Sequence, residues 1–425
     1  MDPMTLALIL FGVMYVLLLV FSDWRWIIAP VTAVLFLVLG ILPLDKVAGA
    51  INWNVLMMLA GTMATVELFI QSNMPARMAE KLLQKVPNVQ WAVVALSLFS
   101  GIISAFVDNV ATVLMVAPVG LAVAKKLKTN PVPVIIAIAV SSNLQGAATL
   151  VGDTTSILLA GAVDMSFNDF FWFHGRPGIA WAVEVGALLT VPVLLWLFRR
   201  EKDKVHEEVT AQVKDYVPTF LMLGTVLLLI LASQFENRPE LTNGLICCGV
   251  ALVGIVYELI RQKNGKLVLD VLKAVDYKTL ILLAGLFLVI QGITEAGVIA
   301  AIAELFVKLG GGSVLLTYVI IVAASVAISA FVDNIPYVAT MLPVVLAIST
   351  EIGLDNAYLL SFGLLIGATL GGNITPVGAS ANIAGIGILQ KEGYKVSTRD
   401  FIRIGIPFTL IAAVSGALVI WLIWA

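Results

Sequence analysis

Residues 103–119 read ISAFVDNVATVLMVAPV, and residues 328–344 read ISAFVDNIPYVATMLPV. Six residues, SAFVDN, recur unchanged 225 positions apart, and each copy sets an Asp inside an apolar run. The rest of the chain says where that Asp must live. Of 425 residues, 60% are hydrophobic and only 12% are charged, whereas a soluble domain is about half apolar and a quarter charged. Apolar stretches of roughly spanning length recur at 5–21, 26–43, 179–198, 241–260 and 404–424. The chain therefore reads as an all-α polytopic membrane protein. The first stretch lacks the basic leader of a signal peptide and a second span follows at once, so a retained helix is expected. The net charge of −2 and the lack of any basic run give no footing for nucleic acid. Cys247 and Cys248 are adjacent, an arrangement that suits neither a structural disulfide nor a zinc site.

The repeat runs beyond SAFVDN. LAG at 59–61 matches LAG at 283–285, Thr149 matches Thr375 and Gly152 matches Gly378, at offsets of 224 to 226. The chain reads as two homologous halves, 1–198 and 217–425, joined by the charged linker 199–216. That linker and the loop 261–278 are both rich in Lys and Arg, which places them in the cytoplasm. Loop 391–403 holds Lys391, Lys395, Arg399 and Arg403, but its counterpart 163–178 holds only Arg176. Lys125, Lys126 and Lys128 follow the first VDN segment, while 349–356 after the second has no base. Matching loops carry opposite bias, so the halves are expected to be inverted.

Counting crossings puts both termini outside and segment 75–87, too charged to span, along the inner surface. A single span over 91–124 would send Lys125–Lys128 outside. A re-entrant hairpin over 91–124, with Asp108 and Asn109 at its tip, keeps them inside. The second half repeats this upside down, with hairpin 313–348 and Asp333 and Asn334 at the tip. About ten transmembrane helices are expected, with two re-entrant hairpins and two broken helices, 131–162 and 357–390. A multi-pass protein of the inner or plasma membrane follows.

Backbone that leaves a helix at membrane depth must be buried in protein or line a cavity. A carboxylate there costs about 3 kcal/mol on insertion scales unless it is paired or binding something. Two such carboxylates in symmetric positions read as a site. The segments SSNLQGAATLVGDTTS (141–156) and GATLGGNITPVGASAN (367–382) are polar and carry Gly and Pro that break helices near their middles. Together the tips and breaks offer Asp108, Asn109, Asn143, Thr149, Asp153, Thr154, Asp333, Asn334, Asn373, Thr375, Ser380 and Asn382 as substrate or ion ligands. The alternative is polar glue between helices. This set holds three acids and no base, which suits cations, protons or neutral polyols better than multivalent anions, although helix N-termini can hold a carboxylate unaided. Asp108, Asn109 and Asp153 are the set for a sodium ion. Glu67 and Glu184 are weaker proton-relay candidates, and Glu67 has Gln291 as its repeat partner. His174 and His206 fall in loops. Asp153 aligns with Ala379, so the halves are not chemically equal.

At these residues the sequence resembles the ArsB/NhaD/P-protein permeases of the ion transporter superfamily, which have a citrate-transporter-like fold. SAFVDN followed by an apolar run and Pro, then GAATLVGD and FNDF (167–170), is similar to the first half of that group. SAFVDNIP, GATLGGN and GASAN are similar to the second half, closest to the P-protein branch. The resemblance covers nearly the whole chain. It implies a homodimer with scaffold and transport regions and elevator-like alternating access. It also implies that Asp108–Asn109, Asp333–Asn334, Asp153 and Thr154 are ligands. One departure is that P-protein-like sequences often follow the Gly-Asp with two prolines. Here Thr154 and Thr155 follow, as in sodium/proton antiporters of the NhaD type.

No P-loop for ATP occurs, so coupling to a gradient is expected, with a partner ATPase as the alternative. No cofactor is expected beyond H+ or Na+ as coupling ion. The expected mechanism is competition, with Asp108, Asp153 and Asp333 binding either protons or substrate. Arsenite or antimonite efflux by proton antiport is the leading cargo reading, since a neutral hydroxide fits a pocket without bases. Sodium/proton antiport and citrate, dicarboxylate or other anion transport are the alternatives. An intramembrane aspartyl protease is disfavoured, because Leu150-Val151-Gly152-Asp153 lacks the first glycine of GxGD, and no HExxH occurs for a metalloprotease. The chain is not expected to be an enzyme.

Overall fold

The computed structural model describes residues 2–127, 129–205, 209–235, 238–262, 266–354 and 357–425. The expectations that involve Lys128, His206 and Lys263 lie outside these residues. Up to the linker the helices are α1 (Pro3–Val20), α2 (Arg25–Val38), α3 (Val47–Ala50), α4 (Trp53–Gln71), α5 (Met74–Leu83), α6 (Val89–Ser104), α7 (Asn109–Lys126), α8 (Pro131–Gly146), α9 (Thr154–Val163) and α10 (Ile179–Leu197). A two-residue strand pair, β1 (Trp172–Phe173) and β2 (Arg176–Pro177), precedes α10. After the linker come α11 (Val217–Ala232), α12 (Thr242–Gln262), α13 (Lys266–Ala274), α14 (Tyr277–Glu295), α15 (Val298–Gly310), α16 (Val314–Ser329), α17 (Asn334–Glu351), α18 (Tyr358–Gly371), α19 (Ser380–Lys391) and α20 (Thr398–Trp424).

Seven of these helical stretches are long and apolar enough to cross a membrane, or eight if α15 and α16, bent by 116° at their junction, count as one span. The sequence reading of about ten counts more because it includes interrupted and short segments. The segment 131–162 appears as α8 and α9 with a seven-residue break, and 357–390 as α18 and α19 with a break between them. α5 is short and amphipathic, burying Pro75, Ala79 and Leu83 while Glu80 and Lys81 stay on its outer side.

Local signals set the helix starts. Asn52, Asn88, Asn130 and Ser313 each accept a backbone N–H from the first turn of the helix they precede. Such a cap satisfies a donor the helix cannot. Ser397 and Asp400 form a capping box at the head of α20.

The repeated LAG tripeptide turns out to be a packing device. A Cβ on Gly61 would lie 2.4 Å from the Cys247 carbonyl carbon, so α4 and α12 touch backbone to backbone. On Gly285 it would lie 2.6 Å from the Pro30 nitrogen, so α14 and α2 do the same. Close approach through glycine is a common way to pack helices in a bilayer, where hydrophobicity gives no drive between them. The interrupted helices lie at the centre. Nearly every residue of α8 and of α18 is buried. Leucine, valine and isoleucine on α11, α12 and α20 are widely exposed, for example Ile260 at 72% and Leu422 at 73%, as a lipid-facing surface requires.

Candidate functional site

SAFVDN makes the same structure twice. α6 stops at Ser104 and α16 at Ser329, and after a short turn Asp108 and Asp333 cap α7 and α17. Asp108 Oδ2 accepts from the amides of Val110 at 3.0 Å and Ala111 at 3.3 Å. Asp333 Oδ1 accepts from Ile335 N at 3.2 Å. A carboxylate at a helix N-terminus meets both free donors and the positive end of the dipole. Each tip is tied to the adjacent helix break. Thr149 Oγ1 donates to Ala105 O, and Thr375 Oγ1 donates to Ala330 O. The glycines complete the fit. A Cβ on Gly152 would lie 2.5 Å from the carbonyl oxygens of Gly146 and Ser104, and on Gly378 it would lie 2.6 Å from Gly372 O and 2.8 Å from Ala330 O.

Between the tips lies a cavity of about 280 Å³. Asp108, Asn109, Asp153, Thr154, Asn334 and Ser380 line it, together with Glu67, Asp276 and Thr279. Its lining therefore holds four carboxylates and no Lys, Arg or His. Asp153 is buried (3% exposed) and does not cap α9 with its side chain. Its Oδ2 instead accepts from Thr155 Oγ1 at 2.8 Å and, across the two halves, from Asn334 Nδ2 at 3.4 Å.

The other predicted residues sit elsewhere. Asn143 donates through Nδ2 to Asn373 Oδ1 and to Asn382 Oδ1, and its Oδ1 accepts from Asn109 Nδ2. Asn373 donates to Val140 O, and Asn382 donates to Gly372 O and Thr375 O. Asn143, Asn373 and Asn382, with Thr149 and Thr375, hold the two breaks and tips together and do not line the cavity. Of the relay candidates, Glu67 is on the cavity wall, its Oε1 accepting from Gln71 Nε2 at 2.6 Å. Glu184 is not. Both its oxygens accept from Gln145 Nε2, at 3.1 and 3.0 Å, away from the cavity.

The expectation of a base-free site fails at Asp333, whose Oδ2 accepts from Arg25 Nη1 at 3.1 Å as well as from Ser380 Oγ at 3.0 Å, while the first cavity, which Asp333 does not line, has no base on its wall. Arg25 heads α2, 308 positions from its partner, and at the end of an apolar span it reads as an ordinary interfacial charge. Asp333 with Arg25, Asp23 and Lys278 lines a smaller, adjoining cavity of about 210 Å³, which shares Thr279, Ile335 and Ser380 with the first. Asp276 and Thr279 also face the cavity, Asp276 masked in the sequence by the Lys and Arg residues of loop 261–278 and Thr279 lying in the first turn of α14. A much larger cavity, about 1050 Å³, lies at the other end of α4 and α9. Asp169 of FNDF lines it and accepts from Ser166 N at 2.6 Å, so that motif shapes a turn.

Interrupted helices, capped tips and a carboxylate-bearing cavity inside a bundle with an apolar outer surface are the marks of a membrane transporter. The fold agrees. The structure superposes on the YdaH transporter of Alcanivorax borkumensis with a TM-score of 0.61 over 99% of this chain and 98% of that one, at 13% identity. It superposes on MtrF of Neisseria gonorrhoeae with a TM-score of 0.59 over 100% and 95%, at 14% identity. Residues 7–367 match the citrate transporter family, CitMHS, and the chain belongs to it. An uncharacterized transporter of Mycobacterium tuberculosis is 31% identical over 88% of this chain and 86% of its own length. The 46 kDa membrane protein of Mycobacterium leprae is 34% identical over 75% and 74%. The human P protein is 26% identical over 88% of this chain and 54% of its own. The family is one of transporters and not of enzymes, which sets the intramembrane protease reading aside.

Proposed function

We propose that the chain is a gradient-driven antiporter in which Asp108, Asn109 and Asp153 hold the coupling cation, a proton or sodium. Asn334, Thr154 and Ser380 face the same cavity and hold the cargo. The observation that carries this reading is Asp108 itself. Its carboxylate lines the cavity, is oriented by two backbone amides, and has no cationic partner among the described residues. A carboxylate left so at depth is costly unless a proton or cation joins it. For cargo, a neutral hydroxide such as arsenite or antimonite fits a lining whose polar groups are carboxylates, amides and hydroxyls without bases, set among apolar side chains. Free citrate, to which the family's name points, would meet four carboxylates there. Homodimerisation and residence in a cell membrane with the 199–216 linker inside remain part of this proposal.

The test uses purified protein in liposomes with a trapped pH dye, given sodium, lithium, arsenite or citrate from outside. Proton movement with arsenite, lost in Asp108→Asn, supports the reading as stated. Proton movement with sodium alone keeps the coupling site and replaces the cargo. A citrate response that survives Asp108→Asn overturns both.

A further inference from the structure

SAFVDN occurs at 104–109 and 329–334, and both aspartates cap the helix that follows. A duplicated motif of this kind offers two equivalent acidic sites. The structure makes them unequal in charge. Asp333 Oδ2 takes the Arg25 guanidinium, which is fixed from behind because Arg25 Nε donates to Leu18 O at 3.0 Å. Asp108 takes only amides. Thr154 aligns with Ser380 and both line the first cavity, yet Ser380 Oγ donates to Asp333 Oδ2 while no hydrogen bond joins Thr154 to Asp108 among the described residues. The other charged groups around Asp333 do not replace Arg25. Lys278 Nζ sits over the Trp26 ring at 6.0 Å from its centroid, and Asp23 adds a second acid.

We infer that Arg25 is a built-in cation, whose guanidinium occupies at Asp333 the place the transported cation occupies at Asp108. The chain then binds one coupling cation per protomer, although it carries two copies of the acidic tip. The Arg25 contact itself shows that the carboxylate of such a tip accepts a cation. Removing one member of a buried ion pair leaves the other charge uncompensated, so Asp333 without Arg25 becomes a second site for the solution ion.

This inference rests on the reading that Asp108 binds the coupling cation, and the experiment separates the two. Cations bound per chain are counted at equilibrium on the purified protein with radioactive sodium and, in parallel, as protons displaced by saturating sodium at fixed pH. Wild type and Arg25→Lys are expected to bind one, Arg25→Gln two, and Arg25→Gln with Asp333→Asn one. Asp333→Asn alone is expected to keep the count at one, and it serves as the decisive variant if Arg25→Gln does not fold. An unchanged count in folded Arg25→Gln, or a count that falls in Asp333→Asn, overturns the inference. Failure of the underlying reading looks different, because Asp108→Asn then binds as many cations as wild type.

Discussion

The side-chain nitrogen of Asn143 lies 2.8 Å from Asn373 Oδ1. The two interrupted helices, 230 positions apart, are thus clasped amide to amide where both are fully buried. Asn143→Ala would orphan Asn109 Nδ2 and lose the Nδ2 donor to Asn373 and Asn382. A buried polar group left unpaired costs about 1–3 kcal/mol, but interhelical bonds in membranes average about 0.6 kcal/mol. We expect a loss of about 2 kcal/mol, read by thermal unfolding in detergent. Asn373→Ala added to it should cost less than the sum, since residues in one network do not act independently. Strict additivity would mean the clasp is not shared.

Gly152→Ala and Gly378→Ala should each abolish folding or transport. The intruding methyl meets backbone oxygens at 2.5 and 2.6 Å, which cannot move aside as a flexible side chain would, so the usual overpacking cost of about 1–3 kcal/mol is a floor. Gly387→Ala, in α19 with nothing within 4 Å, should be neutral or stabilising by about 0.5–1 kcal/mol. Yield and melting temperature of the three variants, side by side, decide it.

Thr149→Val and Thr375→Val keep the shape of the side chain but drop the hydroxyl bonded to Ala105 O and Ala330 O. Each should cost about 1 kcal/mol, while Thr→Ser at either position restores most of it. A Ser variant as unstable as Val would show that the methyl matters more than the bond.

Glu67 and Asp276 line the cavity without belonging to the repeated tips. Glu67→Gln and Asp276→Asn should raise the half-saturating cation concentration severalfold at low ionic strength and leave the maximal rate in place. The difference should shrink at about 0.15 M salt, where the Debye length is about 8 Å. Asn at 276 can still cap α14, a role Asp276 fills through Thr279 N at 3.1 Å. Flux measured against cation concentration at two salt levels checks this, and a salt-independent effect would contradict it.

Much of the site was legible because it is written twice. The identical SAFVDN copies marked two turns, read as hairpin tips, where Asp108 and Asp333 cap α7 and α17, and the glycine-containing polar runs span the gaps between α8 and α9 and between α18 and α19. The repeat could not say which polar groups face each other and which face the cavity. Asn143 and Asp153 look alike as polar residues in an apolar span, yet the amide can satisfy both donors and acceptors within the protein, whereas the carboxylate only accepts. The amide thus ends in the clasp and the acid at the wall. Arg25 was illegible for another reason. It has no repeat signature, and a base beside a span is expected whether or not it reaches inward. Only the chain's return over 308 positions brings it to Asp333.

The ten residues of α9 carry a last consequence. Thr154 stands in the small cavity, while Ile157, Ala160, Gly161 and Val163 border the large one. At 1.5 Å per residue the helix is about 15 Å long, half the roughly 30 Å of a hydrocarbon core. Water reaching both ends would confine the membrane voltage to this thin partition. An elementary charge crossing it would collect the full value of about 2.3 kcal/mol per 100 mV within the length of one short helix.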